Sequence, residues 1–164
     1  MALSNQYKNR MRQVIRITMI TLAVLMLVIA LAIPIANNAV ALSVENRLKG
    51  LPLPEGAQRI ASVSTAGKLT GSGNGMQYYG AILVQTELPK EQLVAHYSNY
   101  RQSAFDCMVE DAVGARVMVS ELSLAEVEPA FNADAIADDY YLVYSWGDAP
   151  AWLWDILNMD IRAH

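Results

Sequence analysis

The chain has 164 residues, room for one modest domain and one appendage, and its charges are split unevenly. Lys8, Arg10, Arg12 and Arg16 precede position 45 without a single acid, whereas residues 45–164 hold the other 8 Lys and Arg against all 16 Asp and Glu. An acidic domain of this kind lacks the clustered Lys and Arg that displace counterions from phosphates, which excludes nucleic acid as a partner.

From Ile17 to Val44 no residue is charged, and the 20 residues from Ile17 to Ala36 form an apolar core broken only by the hydroxyls of Thr18 and Thr21. That is the roughly 20 residues a helix needs to cross the hydrocarbon core of a bilayer. A core helix of a soluble domain keeps a polar face; a membrane span does not. The sequence therefore predicts a basic cytoplasmic head at 1–16 and a transmembrane helix at 17–38, with the lipid bilayer as its partner. Ala39-Val40-Ala41 has the small-x-small form of a signal-peptidase site. The apolar run, however, is longer than the roughly 7 to 15 residues of a secretory signal, so a retained anchor is expected. The basic cluster places the N-terminus in the cytoplasm and the remainder outside it, although Arg47 and Lys49 on the far side weaken the contrast.

Pro34 is tolerated near the outer end of the span, and Asn37-Asn38 begins polar chain beyond it. Residues 39–53 read as a helical stalk or linker that Gly50 can cap, after which Pro52 and Pro54 hold the chain extended. The folded domain is expected at 54–164. Its class is α+β: a small antiparallel sheet built from a β-hairpin, a helix, further strands and a closing C-terminal helix.

Within the hairpin, AQRIASVSTAGKL and MQYYGAILVQT are the strands and GSGNG at 71–75 lies between them. A phosphate loop needs a helix after its glycines, whereas the chain beyond Gly75 is rich in β-branched and aromatic residues and is bounded by Pro89. Asn74-Gly75 supplies the positive φ of a tight turn instead. The next stretch, LPKEQLVAHYSNYRQ, is an amphipathic helix with Pro89 in its first turn and Leu93, Val94, Tyr97 and Tyr100 on one face. His96 lies at the margin of that face. One turn away stand Gln92 and Tyr100 rather than a second ligand, so it reads as a half-exposed surface histidine.

Between Asp106 and Asp139 nine acids face one base, Arg116, yet the alternating Asp/Asn pattern of a calcium loop is missing. A strand is expected at Ala115 to Leu122 and another around Cys107 to Val109, with Gly114 as the turn between them. The lone Cys107 cannot form an intrachain disulfide and reads as a buried, inert thiol. Residues 140–146 form a strand with Tyr140, Leu142, Tyr144 and Trp146 on one face and Tyr141, Val143 and Ser145 on the other. In the closing segment from Pro150 to His164, Trp152, Ile156 and Met159 share a helical face while Trp154 and Ile161 point elsewhere. Trp152, Trp154 and Ile161 are therefore the candidate contact surface, for an envelope protein or a second copy.

No cofactor motif, metal-ligand set or nucleophile elbow is present. The leading functional reading is a non-catalytic domain, anchored by one span and presented outside the cytoplasm for protein interaction in the cell envelope. Two alternatives differ in class: a hydrolase-type envelope enzyme using Asp155, Asp160 and His164 or a carboxylate pair from the acidic loop, and a sensor whose Tyr140, Tyr144 and Trp146 line a groove for a sugar or small ligand.

Overall fold

A computed structural model of the protein describes residues 2–67, 76–101, 105–113, 116–120, 123–126, 131 and 136–147. In chain order the elements are α1 (Ala2–Gly50), β1 (Gln58–Gly67), β2 (Gln77–Gln85), α2 (Lys90–Ser98), β3 (Met108–Asp111), β4 (Arg116–Ser120), β5 (Ser123–Glu126) and β6 (Tyr140–Gly147). The fold is α+β: a long N-terminal helix, a four-stranded antiparallel sheet in the order β1-β2-β6-β3, and a short helix, with β4 and β5 forming a separate pair.

α1 is continuous for 49 residues through Pro34. Its most apolar 18-residue window has a mean hydropathy of 2.8 and is 6% buried, so it is long and apolar enough to cross a membrane. Residues 39–53, a stalk on the sequence pattern, carry α1 on to Gly50 and supply Val40, Ala41, Val44 and Leu48 to the core. Gly50 does not take the left-handed conformation expected of a cap. The guanidinium of Arg59 donates instead to the carbonyl of Lys49 at 2.7 Å, satisfying one of the orphan acceptors of the last turn. The positive φ falls at Gly56 (76°), in the turn closed by Ala57 N–H to the Pro54 carbonyl. A four-residue turn with φ above zero at its third position calls for glycine there.

β1 and β2 pair antiparallel from Gln58 opposite Gln85 to Gly67 opposite Gln77, which makes the hairpin; Asn74-Gly75 lies outside the described residues. β2 is buried along its length, Tyr78 to Val84, because both faces of the sheet are covered. On one face Tyr78, Ile82 and Val84 meet the α1 stripe together with Leu93 and Tyr97 of α2, Phe105, Cys107 and Val143. On the other, Tyr79, Ala81, Leu83 and Leu142 pack with Ala112 and Phe131. The side-chain alternation expected of β6 holds: Leu142, Tyr140, Tyr144 and Trp146 belong to the second face and Val143 and Tyr141 to the first.

α2 is shorter than its sequence pattern, and of the expected face Leu93 and Tyr97 are buried and Tyr100 half-buried, while Val94 stays 44% exposed. β3 starts at Met108 rather than Cys107 and takes in Glu110 and Asp111, because pairing with β6 decides its extent. The strand expected at 115–122 is β4, and it pairs with β5, a strand that no sequence pattern announces. Gly114 and the closing segment from Pro150 lie outside the described residues.

Candidate functional site

The most constrained site in the described structure is the seam where α1 meets the sheet. Glycine at position 80 sets its geometry: a Cβ there would lie 2.6 Å from the Glu45 backbone nitrogen, closer than side chains tolerate. Ser145, opposite Gly80 on β6, is small and fully buried. These two positions let the helix backbone come down onto the sheet, with Ala41 (1% exposed) on the packed side of the helix.

Two polar groups lock the helix in rotation and register. The Tyr78 hydroxyl donates to Asn37 Oδ1 at 2.8 Å, with both residues buried. Two helical turns further along, the Glu45 carboxylate, 7% exposed, accepts from Ser62 Oγ at 2.6 Å and from Lys49 Nζ at 3.1 Å. Burial by itself would raise the Glu45 carboxyl. Hydrogen bonds from Ser62, Ser64 and Lys49, with the Lys49 charge, outweigh it and hold the group below its usual value. A buried carboxylate saturated by donors is a fastener and makes a poor general base, since its lone pairs are already engaged.

Under α2 lies a second buried group of chemistry-bearing side chains. Burial pushes the Tyr97 hydroxyl up to about 12 against the opposing charge of Arg59. It likewise pushes the Cys107 thiol up to about 11, with Asp106 adding to the effect and Arg47 and Arg101 opposing it. Both are neutral at pH 7, so the cysteine is an inert core residue, as its sequence setting indicates. Phe105 beside them carries the Arg47 guanidinium 4.0 Å above its ring. His96 is half-buried: Nε2 lies 2.9 Å from the Pro52 carbonyl and its ring packs against Tyr97 and Tyr100.

At the far end of the sheet, Glu55, Gly56, Gln58, Gln85, Thr86, Glu87, Leu88 and Asp139 line an open cleft of about 540 Å³. Gln85 Nε2 donates to Asp139 Oδ2 at 2.7 Å, and the Thr86 amide donates to the Asp139 carbonyl at 2.9 Å. The cleft is polar, and its carboxylates are Glu55, Glu87 and Asp139. Among the described residues no three of His, Cys, Asp and Glu are placed to hold a metal ion.

Of the aromatic residues that the sequence marks as a possible groove, Tyr144 and Trp146 pack around Tyr79, with ring centroids at 5.7 and 4.9 Å, and Tyr144 donates to Glu110 Oε1 at 2.6 Å. Together with Tyr140 they flank a core cluster instead of walling a groove. Trp152, Trp154 and Ile161, and with them Asp155, Asp160 and His164, lie outside the described residues. The seam residues Asn37, Glu45 and Gly80 carry no sequence signal of their role, since nothing local sets them apart from polar neighbours such as Asn38 and Asn46 or marks which face of the sheet they meet. Comparison with protein-family models, with curated proteins and with solved structures finds no match.

Proposed function

We propose that this is a single-span membrane protein whose residues 17–38 cross the bilayer with the basic head 1–16 in the cytoplasm, and whose domain at 54–164 serves outside it as a non-catalytic interaction module of the cell envelope. The observation that carries the reading is the state of α1: Val24 to Val28 are each more than half exposed, although successive residues point to every side of a helix. So large an apolar surface is stable only against lipid or another apolar partner. The tendency of basic residues to stay inside supports the orientation, and the saturation of Glu45 and the neutrality of Cys107 and Tyr97 support the absence of catalysis in the seam.

Retention of the anchor has its own support. A cut after Ala41 would remove Val40 and Ala41 from the core and delete the Asn37–Tyr78 hydrogen bond, which gives the folded domain a stake in the uncut chain. Protease added to spheroplasts should digest the domain and leave a small membrane-bound stub that carries an N-terminal tag. A domain protected until the membrane is lysed would refute the orientation. Soluble domain in the medium without protease would refute the anchor.

A further inference from the structure

We infer that the sheet end formed by Gly67, Gln77 and Gly147 rests in the headgroup layer of the membrane that α1 crosses, so that the outer-leaflet lipid surface is a second partner of the domain; this rests on the single-span reading above. The length of bare helix is the first ground for it. A span of about 30 Å needs about 20 residues at 1.5 Å each, and counted outward from Arg16, the last charged residue before the apolar run, it ends near Ala36. At that point the domain already meets α1: Asn37, the next residue, is 1% exposed and bonded to Tyr78 at the start of β2. Tyr78 therefore stands at the hydrocarbon boundary, and the sheet end beside it falls within the headgroup layer, about 5 to 8 Å deep.

The seam gives the direction. Along α1 the contacts run from Asn37 with Tyr78 to Glu45 with Gly80 on β2, and from Glu45 with Ser62 to Lys49 with Arg59 on β1. β2 thus runs in the same sense as α1 and β1 in the opposite sense. The end of the sheet that faces the span is the one with Gly67 opposite Gln77 and Tyr78 opposite Gly147. Its chemistry suits that place. Thr65 to Gly67, Gln77 to Tyr79 and Ser145 to Gly147 include no charged residue, whereas Glu55, Glu87 and Asp139 line the cleft at the opposite end. Trp146, half-buried on Tyr79, is an aromatic of the type that settles at headgroup level.

The test uses the full chain in phosphatidylcholine vesicles containing a small fraction of a phosphatidylcholine with a photoreactive diazirine near its headgroup. After illumination and digestion, mass spectrometry should find label on α1 between Ile17 and Ile35 and also on peptides that hold Gln77 to Tyr79 or Ser145 to Gly147. Four extra apolar residues inserted after Leu25 lengthen the span by about 6 Å. They should lift the sheet end clear and cut its labelling several-fold relative to that of α1. Label on α1 that extends back past Arg16 to Val14, with none on the strand ends, would overturn the inference while leaving the anchor in place. Absence of label from α1 would overturn the single-span reading and this inference with it.

Discussion

The two halves of α1 are alike in sequence and opposite in circumstance. Between Ile17 and Val44 neither carries a charge, yet from Ile17 to Val28 the side chains stand exposed all round, while from Asn37 onward a stripe of Asn37, Val40, Ala41, Val44, Glu45 and Leu48 is buried against the sheet. The stripe has the i, i+3, i+4 spacing of one helix face, and Ile35 and Leu42 off the stripe remain 68% and 46% exposed. Apolarity alone therefore does not say what a helix packs against. The distinguishing marks are the polar residues: Asn37 and Glu45 are tolerated inside the stripe because Tyr78, Ser62 and Lys49 meet them.

Substitutions along the helix test this contrast. Leu48→Ala should cost the domain about 2 to 5 kcal/mol, since the side chain is fully buried in the main cluster. Leu25→Ala should change domain stability by less than about 0.5 kcal/mol in the same detergent-solubilised denaturant titration. Equal losses at the two positions would abolish the distinction between the halves. Gly80→Ala is expected to cost about 1 to 3 kcal/mol, because its new methyl meets helix backbone and cannot be relieved by a side-chain rotation. Thermal unfolding that matches the wild type would show that the helix does not sit so close.

Tyr78→Phe should lose about 1 to 3 kcal/mol by leaving Asn37 Oδ1 buried without its donor. Adding Asn37→Leu to it should recover part of the loss, since a buried pair replaced on both sides leaves no polar group stranded. A double variant no more stable than the single one would show that this pair contributes shape alone. The smallest effect expected is a pH dependence. Glu45 has a folded-state pKa below its unfolded value near 4.5, so its contribution is present above that pH and fades as the carboxyl is protonated in the folded state at lower pH. Unfolding titrations from neutral into acid pH, through that value, should show Glu45→Gln with a shallower acid-induced decline than the wild type, and parallel curves would remove Glu45 from the account.

The parts of the fold that sequence reveals are those governed by local pattern. The hairpin strands and β6 reflect period-two alternation of β-branched and aromatic residues, and the assignment of Leu142 and Val143 to opposite faces comes from the pleat itself. What tertiary pairing decides is not local. Glu110 and Asp111 have poor strand propensity and join β3 only because Leu142 and Tyr141 lie opposite. The upper half of α1 has a buried side of Val40, Ala41, Val44 and Leu48 and an exposed side that includes Asn38, Ser43, Asn46 and Arg47, but it continues the uncharged run of the span, which masks where one ends and the other begins. The helix end at Gly50 is legible in position, but its acceptor is met by Arg59, from a strand that begins only after the intervening turn, a partner no local rule names. Of the candidate site, the inert setting of Cys107 is legible and the seam is not.

Strand order has a consequence for how the protein is made. β6 is the last described strand in the chain yet lies between β2 and β3, so both wait for residues 140–147 before the sheet can close. During synthesis the run from Tyr79 to Val84 has β1 for a neighbour on one edge and no partner on the other until the ribosome has passed Gly147. An unpaired, apolar edge of that kind is the surface that misassembles or recruits a chaperone. Chains truncated anywhere between α2 and β6 should accordingly be cleared by proteolysis rather than persist as smaller folded domains, so that residues 140–147 decide whether everything translated before them survives.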